Sequence, residues 1–310
     1  MKIASLLPSC TEIACALGLE EEIVGVSHEC DFPEKMKLKP VLTKSKINNS
    51  GRSDQIDKDV LEIVKKGLSV YDIYEEKLKE LNPDVILTQD QCEVCAVSLK
   101  DVEELTNKYI CNAKILSLKP LVFEDIFDDI KKIGMVTNRE KQAERLIENL
   151  YSRVDNIKSK TRNLTYKPKV CVIEWLFPLM IAGNWSPEMI EIAGGVNLFG
   201  KRGKHSGKID FERILDYQPD KIIISPCGFK VYQTINDIDF LTSIPKWKKL
   251  KAVQNNEVYV IDGNAYLNRP SQRIVDSLEI LSSVIHPELF SEKKEFAFRL
   301  DYLLQNSING

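Results

Sequence analysis

No apolar run in the sequence approaches the ~20 residues that a membrane span requires, so the chain is not expected to insert in a bilayer. An excess of either charge is lacking too. The 43 Lys and Arg face 46 Asp and Glu, for a net charge of −3, which gives no electrostatic case for nucleic acid or an anionic membrane. Histidine is scarce, with three in 310 residues. The opening "MKIASLLPSCTEIACALG" has Lys2 and then apolar residues, but Pro8, Ser9, Thr11 and Glu12 interrupt the run before an h-region forms. Residue 1 therefore reads as the start of a folded strand, and the expected location is cytoplasmic. The eight cysteines of a chain in a reducing compartment are expected as thiols rather than disulfides. The densest basic cluster, "GKRGKHSGK" at 200–208, is short and glycine-rich, and reads as a mobile loop rather than a phosphate site.

What is present is an alternation of short apolar runs and amphipathic segments. "KIASLLP" reads as a buried strand, followed by a helix with Ser9 as N-cap, Glu12 completing a capping box and Gly18 as stop. "EIVGVSH", "DVILTQ" and "AKILSL" are the next strands; Ser53 and Ser98 are the expected caps of the helices among them. From about 121 to 163 no strand signal appears. One helix covers "LVFEDIFDDIKKIGMVT", and a second, capped by Asn138, carries Ala143, Leu146, Ile147, Leu150 and Val154 on one stripe. "KVCVIEW", "KIIISP" and "EVYVID" repeat the strand pattern. Their helices are expected to be capped by Ser186 and Asp210, with Pro270 opening the last. The expectation is an α/β fold of two lobes with mainly parallel sheets joined by a long backbone helix. Residues 1–120 form the first lobe, 121–165 the connecting helices, 166–288 the second lobe and 289–310 a tail.

In open parallel sheets ligands bind at the carboxyl ends of the strands. Five of the eight cysteines fall in the turns just past those ends: Cys10, Cys30, Cys92, Cys95 and Cys227. If both sheets turn these edges toward a shared cleft, Cys30, Cys92, Cys95 and Cys227 can converge as thiolate ligands of Zn or an Fe–S cluster. His28 can add a ligand and Glu29 can orient one. Against this stands plain packing of cysteines as small hydrophobes. A redox reading of "CEVC" gains from a nearby helix N-terminus, but Glu93 between the thiols opposes a thiolate. The same turns hold Ser9, Thr11, Gln91 and Glu174, and aromatic residues able to wall a flat ligand: Trp175, Phe177, Trp185, Phe229 and Tyr266. In "DGNAYLNRP", Arg269 beside Asn264 and Asn268 can bind a carboxylate, phosphate or amide; alternatively these side chains hold their own loop together. His205 is expected in solvent and His286 at a helix end.

"LLPSCTEIACALGLEEEIVGVS" resembles the opening of the periplasmic binding proteins for iron–siderophores and vitamin B12, and "LKAVQNNEVYVIDGN" and "RPSQRIVDSLEIL" resemble that family's C-terminal lobe. "SHECDFP", "TQDQCEVCAVS", "EWLFPLMIAGNW", "SPCGF" and "DGNAYLNRP" are similar to the branch labelled cobalamin-binding proteins. The resemblance spans roughly residues 1–287. It implies a ligand cleft between two α/β lobes on a stiff helix, little hinge closure, and a corrinoid or related metal complex as ligand. The ligand-binding residues it leaves in view are Ser9, Thr11, His28, Glu29, Gln91, Glu174, Trp175, Trp185, Phe229, Asn264, Tyr266 and Arg269. Without an export signal, docking on a membrane permease is not expected. The alternative is a cytosolic metalloprotein or enzyme with Cys-ligated Zn or Fe–S.

Overall fold

In a computed structural model the chain divides into two compact units: residues 1–51, 56–120 and 124–149, and residues 52–55, 121–123 and 150–310. The structure describes residues 1–66, 68–90, 98–109 and 112–307.

In chain order the first part runs β1 (Ile3–Ser5), α1 (Pro8–Ala16), β2 (Ile23–Val26), β3 (Thr43–Ser45), α2 (Ser53–Lys65), β4 (Tyr71–Ile73), α3 (Glu75–Leu81), β5 (Val85–Gln89), α4 (Leu99–Tyr109), β6 (Lys114–Leu118), α5 (Phe123–Val136) and α6 (Glu140–Thr161). The sheet of the first unit has the order β2-β1-β5-β6 and every pair in it is parallel. Parallel neighbours need crossover connections, and the helices predicted between these strands supply them. One face of the sheet packs Ala4, Leu6 and Ile86 against Leu42, Leu78 and Val102. β3 and β4 form a separate antiparallel pair that the sequence reading did not anticipate. Of the stripe expected in α6, Ala143, Ile147, Leu150 and Val154 are buried and Leu146 is half-buried; the boundary between the units falls within this helix, after Asn149.

The second part runs β7 (Lys169–Trp175), β8 (Met180–Ile181), α7 (Ser186–Ile192), β9 (Val196–Asn197), β10 (Gly207–Lys208), α8 (Phe211–Tyr217), β11 (Lys221–Ile224), α9 (Val231–Asn236), α10 (Asp239–Thr242), α11 (Lys251–Gln254), β12 (Val258–Ile261), α12 (Ile274–Ile285), β13 (Ala297–Arg299) and α13 (Leu300–Ser307). The sheet order is β10-β8-β7-β11-β12-β13. Its centre, β7-β11-β12, is parallel, while β8 and β13 join antiparallel. Ile222 and Ile224 of the central strand pack with Cys171, Ile173, Leu241, Trp247 and Val260 in one core. Beside α12, Arg153 of α6 makes a bidentate pair with Glu279 and bonds Asp276 at 2.5 Å, which fixes the end of α6 to this unit.

Several helix starts differ from the sequence reading. Ser9 lies inside α1, whose N-cap position is Leu7 with no side-chain cap. Ser53 opens α2 with its hydroxyl unpaired, and its N–H donates instead to Asp237 Oδ2 at 2.5 Å. Asn138 adopts a left-handed turn (φ 56°) ahead of α6 rather than capping it. Ser186 is the first residue of α7, after Trp185, and Pro270 precedes a turn, so that α12 starts at Ile274. Ser98 does cap α4, accepting from Asp101 N–H at 3.1 Å. The segment 200–208 is no free loop. Gly207 and Lys208 pair with Ile181 and Met180, Ser206 Oγ accepts from Gly183 N–H at 3.2 Å, and Asn184 N–H donates to Lys204 O at 2.6 Å.

Two stability outcomes follow from this packing. Ile222 has no exposed surface and sits between β7 and β12, so Ile222→Ala should lower unfolding stability by about 2–5 kcal/mol in urea titrations. Asp220 is pushed up by partial burial, but hydrogen bonds from Lys251 Nζ and the Lys169 amide outweigh that and hold it below the usual carboxylate range. A depressed carboxyl stabilises the fold above its unfolded pKa and loses that contribution as pH falls through the folded value. The difference in urea midpoint between wild type and Asp220→Asn should therefore be present at pH 6 and shrink below about pH 4; a difference that grows on acidification would contradict this.

Candidate functional site

At the carboxyl edge of the first unit, the turn after β2 presents His28 and Glu29. The His28 N–H donates to Thr43 Oγ1 at 3.1 Å, and His28 Nδ1 lies 2.7 Å from the same oxygen. Nε2 lies 3.3 Å from Glu29 Oε1, which also accepts from Asn49 Nδ2 at 2.7 Å. The carboxylate favours the proton on Nε2, and the Thr43 hydroxyl then donates to Nδ1. The ring packs 5.2 Å from that of Tyr71. β3 and β4 thus hold this imidazole from behind. Its side chain is 21% exposed and that of Glu29 37%, but the His28 Nε2 atom is itself buried.

Ser9 and Thr11 differ from that pair. Both are buried. Thr11 Oγ1 donates to Ser5 Oγ at 2.8 Å and lies 3.0 Å from Cys30 Sγ. Their strand-end position is as expected, but their side chains face the interior, where they brace α1 against the turn carrying Cys30. Gln91, Cys92 and Cys95, with Glu93 and Cys111, lie outside the described residues. Just before them, the hydroxyl of Thr88 and the Nε2 of Gln89 are buried with no hydrogen-bond partner among the described residues, as is the hydroxyl of Ser117. Thr88 and Ser117 are register partners on β5 and β6. A buried unpaired polar group is costly, so these residues belong in the candidate site. The signal for them was the polar end of the run "VILTQ".

In the second unit the parallel strands β7, β11 and β12 bring their ends side by side. The Cys227 N–H donates to Glu174 O at 3.1 Å, which joins the turns after β11 and β7. The half-buried Trp175 meets Phe229 edge-on, with ring centroids 5.1 Å apart. Phe229 O accepts from the Gly263 and Asn264 amides at 2.9 and 3.1 Å. The third turn approaches so closely that a Cβ on Gly263 would stand 2.0 Å from Pro226 O, which only glycine permits. Asp262, pushed up by burial despite its bonds from the Asn264 and Ala265 amides, closes that turn with both bonds at 2.9 Å.

Other aromatic and polar residues hold structure. Trp185 is buried and donates Nε1–H to Leu267 O at 2.8 Å. Arg269 is also buried and donates to Asn264 Oδ1 at 2.8 Å; this is the loop-holding alternative. Tyr266 packs 5.4 Å from Phe296 beneath the Arg273 guanidinium, 5.2 Å from its ring, and burial pushes its hydroxyl up. His286 is buried with its nitrogens facing Glu288 Oε1 at 2.8 Å and Gly194 O at 3.1 Å, at the end of α12.

The cysteines separate by exposure. Cys10 and Cys171 are fully buried, and burial pushes both thiols up, Cys171 to about 12; such thiols are poor ligands and nucleophiles. Cys30 is buried and Cys227 half-buried. Among the described residues no group of three or more His, Cys, Asp or Glu is placed to hold a metal ion.

Comparison with known proteins bears on this arrangement. Residues 3–265 match the family model described as periplasmic binding protein. A Bacillus subtilis ABC transporter substrate-binding lipoprotein, YvrC, is 23% identical over 94% of this chain and 82% of its own. The vitamin B12-binding protein of Vibrio cholerae is 22% identical over 90% of this chain and 86% of its own. Among solved structures, the periplasmic heme-binding protein of Pseudomonas aeruginosa superposes with TM-score 0.71 at 17% identity, covering 96% of both chains. The vitamin B12-binding protein BtuF of Vibrio cholerae superposes with TM-score 0.67 at 20% identity, covering 92% of this chain and 96% of its own. With its parallel sheets and its match over most of its length, the chain belongs to the periplasmic binding protein family.

Proposed function

We propose that this protein is a substrate-binding protein of the ABC-transporter type whose ligand is a corrinoid, or a closely related flat metal macrocycle. The observation that carries the reading is the Trp175–Phe229 pair, 5.1 Å apart at the carboxyl edge of β7 and β11. One buried ring braces a second, half-buried one, which gives an apolar platform on which a macrocycle can lie. Relatives that bind vitamin B12 or heme support it. Trp185 and Arg269 of the same unit, being buried, brace the loop that bonds to Phe229 O through Asn264. A cytoplasmic location is proposed as well; in a reducing compartment Cys10, Cys15, Cys171 and Cys227 stay thiols. Recovery of the native protein from the membrane or the culture medium would overturn that part.

Titration with cyanocobalamin and with hemin, followed by tryptophan fluorescence and by absorbance, tests the reading. At least one should bind stoichiometrically. Trp175→Ala should weaken it by about tenfold without moving the thermal midpoint by more than a few degrees, whereas Cys171→Ser should leave affinity unchanged. Absence of binding of either macrocycle to the folded protein rejects the proposal.

A further inference from the structure

Lys208 lies in the same row of the sheet as the aromatic platform. It is the register partner of Met180, and Met180 is the register partner of Trp175, just past a register shift between Ile173 and Trp175. Two strand spacings separate Lys208 from Trp175, on the order of 10 Å between backbones. A lysine stem with its compact ammonium covers much of that distance.

The backbone under Lys208 is fixed. Beyond the pairing of β10 with β8, Ile209 N–H donates to Leu179 O at 3.0 Å. At the other end of the segment, a Cβ on Gly183 would stand 2.2 Å from Lys204 O, a close approach that only glycine allows. The ammonium itself has no carboxylate partner among the described residues, although Asp210 follows two positions on. Arg202 of the same segment, by contrast, pairs with Glu188 at 2.9 Å.

We propose that Lys208 is a specificity-determining residue that reads an oxyanion carried at the edge of the macrocycle, so that the preferred ligands are macrocycles bearing a phosphodiester or a carboxylate. This rests on the binding reading above and adds a charge requirement to it. An ammonium on a fixed strand, with no carboxylate partner among the described residues and on the same sheet edge as an aromatic platform, can give a charge-assisted hydrogen bond to such a group. A macrocycle without the anion gains nothing from it.

The test is a two-by-two comparison run for each source of the oxyanion. Cobalamin carries a phosphodiester and cobinamide does not; hemin carries carboxylates and its dimethyl ester does not. Lys208→Gln should weaken the anionic member of the bound pair by about fivefold and leave the other within twofold, and the effect should fade as salt is raised. Lys208→Arg should restore most of the loss, and Lys201→Gln should change neither member. The pair that shows the effect identifies the source. If wild type binds a macrocycle but Lys208→Gln affects both members equally, or neither, this inference is wrong and the binding reading stands. If folded wild type binds none of the four, the binding reading fails and this one with it.

Discussion

The parallel pairing of β7, β11 and β12 is the constraint on which the second unit depends. Ile222 stands opposite Cys171 on one side and Val258 on the other, so each of the three strands runs the same way and ends at the same edge. Parallel strands cannot be joined by a tight hairpin, so each connection leaves from that edge and returns through a helix. Three turns therefore crowd one place, and the backbone there is tied turn to turn: Cys227 N–H to Glu174 O, and Gly263 N–H to Phe229 O. The close approach at Gly263 is a consequence of that crowding. The Trp175–Phe229 pair is built on those ties, and not on the core beneath.

The parts of the fold that were legible in the sequence are those with enough residues to show a period. "KVCVIEW" is seven residues long and forms the whole of β7; the stripe of α6 recurs over 22 residues. β8, β9 and β10 have two residues each, too few for any alternation to appear, and their pairing is settled by partners far along the chain. The same limit explains the segment 200–208. Its glycines and lysines have the composition of a mobile loop, but Gly183 and Gly200 sit where close backbone contacts leave no room for a side chain. The capping errors have a local cause. Serine near a helix start is a good guess at a cap, yet at Ser53 the carboxylate of Asp237, distant in sequence, takes the amide first.

For the candidate site, strand ends were legible in the sequence but the directions of the side chains there were not. Thr11 and His28 are both strand-end residues. One follows a strand into a helix whose residues from Ser9 to Cys15 are all buried; the other sits in a turn backed by β3 and β4. No periodicity separates them, because the difference lies in what packs behind each. Trp185 and Arg269 mislead for a related reason. Large aromatic and cationic residues in a glycine- and asparagine-rich loop look like ligand contacts, but such loops also need internal donors to satisfy their carbonyls. Trp185 Nε1–H on Leu267 O and Arg269 on Asn264 meet that need.

Among the described residues, some buried polar atoms without a hydrogen-bond partner lie where strands end: the hydroxyls of Thr88 and Ser117 and the amide nitrogen of Gln89 in the first unit, and the hydroxyl of Ser225, just past β11, in the second; others, such as Ser53 Oγ and Asp129 Oδ2, lie in helices. Each costs stability that an apolar residue of similar size would not, and the strands just before them are fully apolar: Val85, Ile86 and Leu87 in β5, Ile222, Ile223 and Ile224 in β11. A fold selected for packing alone would continue those runs. The break from apolar to unsatisfied polar falls at the edge where this class of sheet holds ligands, and departures from consistent packing concentrate at functional positions. On β5 and β11 the apolar run gives way to a buried hydroxyl within one residue, at Leu87–Thr88 and Ile224–Ser225.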